Sequence, residues 1–66
     1  MPSDPYVLRL REDARLRRAG RHSVHSLVAS TYQAADTIEA VEAEGWRLDR
    51  VSTFGTGLAL LVFRRA

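Results

Sequence analysis

The chain has 66 residues, a net charge of +2 and no cysteine. That is one domain, without disulfides or thiolate-held metal, and about 60% of the unfolded surface is what so short a chain can bury. A core this small gains area by association, so the expectation is a homo-oligomer or a subunit of a complex. The longest apolar run, Leu58 to Phe63, is far short of the roughly 20 residues that span a bilayer, which points away from a membrane partner. Met1-Pro2-Ser3-Asp4-Pro5 has neither the charge nor the apolar run of a secretory leader, and the absence of cysteine predicts a cytoplasmic location.

All ten basic residues are arginine. Six lie in residues 1–31 against three acids, a balance of +3. Four lie in 32–66 against five acids, a balance of −1. The basic half comes first.

Residues 1–5 read as an irregular lead-in. From Tyr6 an alternation sets in, with Tyr6, Leu8, Leu10, Ala14 and Leu16 at even positions and Arg9, Arg11, Asp13, Arg15 and Arg17 at odd ones. Period two predicts a strand. A helix competes, because Ser3 or Asp4 can cap it, Pro5 is allowed at the first helical position and Gly20 can end it. Its wheel scatters the leucines among arginines, so the strand is preferred. Gly20 then supplies the left-handed residue of a hairpin turn, and His22 to Ser30 returns as a second strand. This makes residues 6–30 a basic β-hairpin.

Ser30-Thr31-Tyr32-Gln33 matches a capping box opening a helix over 32–44. Ala34, Ile38 and Val41 form its apolar stripe, and Glu39, Glu42 and Glu44 its solvated side. Gly45 suits the left-handed residue past the helix end, placing Trp46 where its ring closes on Val41. These two are the structural residues of the chain. Residues 47–65 read as a second hairpin turning at Phe54-Gly55-Thr56-Gly57. The whole is an α+β domain: a four-stranded antiparallel sheet, β-β-α-β-β, with one helix on one face.

The last strand is apolar on both faces from Leu58 to Phe63, and one helix covers one face. The strand therefore predicts a protein interface, through Leu58, Leu60 and Val62 or through Ala59, Leu61 and Phe63, with a second copy or a larger protein.

From about residue 33 to 65 the chain resembles the DUF4177 family of small bacterial and phage proteins of unknown function. Glu44, Gly45, Trp46 and Leu48, then Phe63, Arg64 and Arg65, carry the likeness. Arg47 stands where that family has glutamate, and the N-terminal part is longer and more basic. The resemblance implies a strand-helix-hairpin fold and, because the family has no established activity, adds little about function.

Candidate chemistry is thin. His22 and His25 would point to opposite strand faces, wrong for a shared metal, and no cysteine or carboxylate cluster completes a set. Ser23, Ser26 and Ser30 near them lack the held geometry and oxyanion hole of a triad. Gly55-Thr56-Gly57 precedes no helix and so is no phosphate loop. No cofactor and no catalysis are expected. Arg9, Arg11, Arg15, Arg17, Arg18 and Arg21 form a candidate anion or nucleic-acid contact along the first hairpin, although Glu12 and Asp13 interrupt it. The expected function is a non-enzymatic protein-interaction module, with nucleic-acid binding by the basic hairpin as the alternative.

Overall fold

A computed structural model describes residues 4–66; residues 1–3, including the Pro2 and Ser3 of the expected lead-in, lie outside the described residues. The elements are α1 (Pro5–Ala19), β1 (Val24–Ser30), a single 3-10 turn (Thr31–Gln33), α2 (Ala34–Glu42), β2 (Trp46–Phe54) and β3 (Leu58–Arg65). The sheet has three antiparallel strands in the order β1-β3-β2. Two helices accompany it, so the expected four strands and one helix are corrected to three and two.

The correction falls on the first segment. Asp4 caps α1, its Oδ1 accepting from the Tyr6 N–H at 2.9 Å, and Pro5 occupies the first turn. The residues that follow are mostly leucine, arginine, alanine and glutamate, all strong helix formers. Only Ala14 of α1 is buried, so the helix never needed the apolar stripe whose absence had favoured a strand. The even-numbered leucines do not share a face: Leu8 and Leu16 are exposed. At the helix end Gly20 has φ −76°, and Arg21 takes the left-handed position at φ 64°.

α2 starts later than the capping box suggests. The Ser30 hydroxyl bonds Gln33 Oε1 at 3.0 Å rather than a backbone amide, and one turn of 3-10 helix intervenes. Gly45 adopts φ +91° after α2, and its N–H bonds the Glu42 carbonyl at 3.1 Å. A side chain there would be strained by that backbone and would meet Arg18 Nε at 2.8 Å.

Alternation decides the layers. Ala59, Leu61 and Phe63 of β3 point inward and are buried with Ala29, Val41, Trp46 and Ala14 in one core. Both helices therefore lie on this inner face. The register pairs Val28 with Leu60, Ser52 with Leu60 and Phe54 with Leu58 across the strands, and these residues share the outer face. Nothing among the described residues covers it. A bulge between Leu48 and Arg50 leaves Asp49 without a ladder partner, and its carboxylate accepts from Arg64 Nε at 3.1 Å.

Candidate functional site

The outer face has two ends of different character. Toward the Gly55–Gly57 turn, Val28 is 52% exposed, Phe54 47% and Leu58 39%, with Leu60 and Val62 half-buried between them. Toward the other end lie Arg47, Arg50 and Arg64. Arg47 sits directly opposite Arg64, a like-charge pairing that costs stability across a ladder, and the bulged Asp49 offsets it. One end is apolar and the other cationic.

Of the two interface faces expected on β3, Ala59, Leu61 and Phe63 are filled by the chain's own helices, with Leu61 and Phe63 fully buried. Leu58, Leu60 and Val62 are on the open side. The sequence reading missed Val28 and Phe54, which complete the patch. Val28 was obscured by the weak alternation of its strand, and Phe54 by its reading as a turn residue, whereas it is the last residue of β2.

The six N-terminal arginines do not make one surface. Arg11 pairs with Glu44 at 2.9 Å, Arg17 Nε donates to the Val24 carbonyl at 3.1 Å, and Arg18 Nη1 donates to the Gly45 carbonyl at 2.7 Å. At about 100° per residue, Arg9 shares the outward side of α1 with Glu12. Arg15 and Arg21 are exposed and lie apart from Arg9. Glu44 and Glu42, expected to be solvated, both hold the fold: the first meets Arg11 and the second accepts the Leu48 N–H at 3.2 Å.

Trp46 is the seam expected of it, but joined to α1. Its indole Nε1 donates to the Ala14 carbonyl at 2.9 Å, and Arg65 lies 5.8 Å above its ring. The Arg65 guanidinium also donates to the His22 and Arg18 carbonyls at 2.7 and 2.6 Å. Arg18 and Arg65 thus close the chain's ends around Trp46.

His25 points inward from β1 and is 7% exposed. Neither ring nitrogen has a hydrogen-bond partner. Burial lowers its pKa below the usual histidine value, nearby Arg17 lowers it further, and Asp13 opposes the shift. An open hollow of ≈ 550 Å³ lies beside it, lined by Asp13, Leu16, Arg17, His22 and Ser26. Among the described residues no three His, Cys, Asp or Glu side chains gather as a metal site, and no helix is long and apolar enough to cross a membrane.

No protein family, curated protein or solved structure matches the chain.

Proposed function

We propose that the chain is a non-enzymatic interaction module of a reducing, cytoplasm-like compartment, and that its partner is a second copy packed on the outer face of the sheet. The observation that carries this is the bare apolar cluster of Val28, Phe54, Leu58, Leu60 and Val62.

The cluster offers on the order of 300 Å² of contiguous apolar surface, the size of the largest patch on a typical monomer, which is often functional. Charge selects the arrangement. If the strands of two copies ran the same way, the arginines of both would stack on one another. A two-fold axis lying across the strands sets patch on patch and leaves Arg47, Arg50 and Arg64 of each copy overhanging opposite ends. An uncharged patch bordered by cations on one side only fits this geometry.

Burying both patches gains about 15 kcal/mol at 25 cal/mol per Å². Association itself costs about 4–15 kcal/mol. The balance, about 0–11 kcal/mol, brackets the ~8 kcal/mol of a micromolar dimer, the weak kind of association suited to an interface below the ~800 Å² per partner of tight complexes. The inner-face arginines of α1 are spent on the fold, which supports this reading over nucleic-acid binding.

Sedimentation equilibrium from 1 µM to 1 mM tests it. The wild type should pass from monomer to dimer in that range, and Val28→Arg or Leu58→Arg, both at exposed positions, should remain monomeric with unchanged circular dichroism. A monomer throughout, or a dimer indifferent to both substitutions, would sink the proposal.

A further inference from the structure

His25 is the one buried side chain, among the described residues, with polar atoms left unpartnered. Its ring lies against Trp46, with centroids 5.5 Å apart, and Phe63, at 6.2 Å. A neutral imidazole tolerates such a place at the cost of its hydrogen bonds. An imidazolium is penalised more, because both ring nitrogens are buried and neither has a hydrogen-bond partner.

The walls differ in how firmly they are held. Phe63 and Trp46 belong to strands held together by backbone pairing. The remaining wall is α1, with Asp13, Leu16 and Arg17, and the turn residue His22. This helix buries only Ala14. Six side-chain hydrogen bonds fasten it: Tyr6 to Thr37, Arg11 to Glu44, Arg17 to Val24, Arg18 to Gly45, Trp46 to Ala14 and Arg65 to Arg18. The charged groups facing His25 are Arg17, which repels an imidazolium, and Asp13, which attracts one. His22 is the other imidazole lining the hollow. β2 and β3 present aromatic rings. Repulsion of Arg17 acts on a fastening directly, since that guanidinium ties α1 to the Val24 carbonyl.

We propose that α1 is a proton-released lid: protonation of His25 detaches α1 from the sheet while α2 and the three strands stay assembled. The direction follows from the buried state holding its proton less tightly than the open one. Closure is complete above the ordinary histidine pKa of about 6.5 and weakens as pH falls below it. Each pH unit below 6.5, down to the closed-state pKa, shifts the closed-to-open ratio by up to about tenfold. Ordinary carboxylates lose their protons at about pH 4, so pH 5–6.5 is the window for an imidazole.

Amide hydrogen exchange at pH 7.5 and 5.5, corrected for intrinsic rates, reads the lid against the sheet. Protection of α1 should fall up to about tenfold relative to β3. In His25→Leu the loss should vanish, and in His22→Gln it should persist. Should the leucine variant not fold, the wild-type His25 ring resonance serves instead, and its titration midpoint must coincide with the loss of α1 protection. The proposal is overturned if α1 stays protected while His25 is protonated, as capture of the imidazolium by Asp13 would produce. It is equally overturned if β3 loses protection in step with α1, or if His25→Leu behaves as the wild type.

Discussion

Among the described residues Arg21 is the one non-glycine with positive φ, at 64°, and it stands next to a glycine that does not need its freedom. The His22 N–H bonds the Arg17 carbonyl at 3.3 Å and the Arg21 N–H bonds the Arg18 carbonyl at 3.1 Å, the two bonds of a Schellman ending with Arg21 in the left-handed place. A side chain there costs about 1–2 kcal/mol. Glycine removes that strain but loosens the unfolded chain by about 0.4–1 kcal/mol. Arg21→Gly should therefore stabilise by roughly 0.5–1 kcal/mol, seen as a higher urea midpoint at unchanged slope. The sequence showed a glycine near a turn, and the structure uses the residue after it. Which of two neighbours takes the left-handed position depends on where the helix ends, and hydrogen bonds between turns decide that.

At the scale of elements, the C-terminal hairpin and α2 were legible because their burial is apolar and periodic. Leu61, Phe63 and Val41 reach full burial through patterns visible in the chain. α1 was not legible that way. A helix held by polar side chains carries no apolar stripe, and its partners, Glu44, Gly45 and Trp46, are some 30 residues away. The caps Asp4 and Pro5 together with helix-forming composition were the available signal, and period two outweighed them wrongly. The same polar attachment makes α1 sensitive to single atoms. The Tyr6 hydroxyl meets Thr37 Oγ1 at 2.9 Å, while that threonine spends its own proton on the Gln33 carbonyl at 2.8 Å, so tyrosine is the donor. Trp46 Nε1 to the Ala14 carbonyl is the buried member of the set. Trp46→Phe removes that bond, leaving the carbonyl only its helical partner, and opens space in the core, costing about 0.5–1.5 kcal/mol for the lost bond and more for the cavity. Loss of stability should appear first as faster amide exchange in α1. Equal loss across β3 would mean the indole supports the whole sheet instead.

For the molecule as a whole, the arrangement is a two-layer slab measuring 33 × 31 × 14 Å, with one sheet face under helices and the other open. The expectation that β3 needs cover on both sides rested on its continuous apolar run. Two helices supply one cover, where one had been expected, and the open face keeps the other half of the run in water. The partner residues Val28 and Phe54 could be placed there only once the β1-β3-β2 order was known, because strand order is a tertiary property that period-two patterns do not encode. If a second copy shelters that face, stability becomes a function of concentration, since only the folded chain presents the patch. Well above the dissociation constant, each tenfold increase in concentration adds about 0.7 kcal/mol per chain, which for a domain of this size is a rise in Tm of roughly 3–6 °C. Calorimetry between 20 µM and 2 mM reads this directly. The wild type should climb while Val28→Arg stays flat, the gap between them widening with concentration. A wild-type Tm independent of concentration would place the open face permanently in solvent.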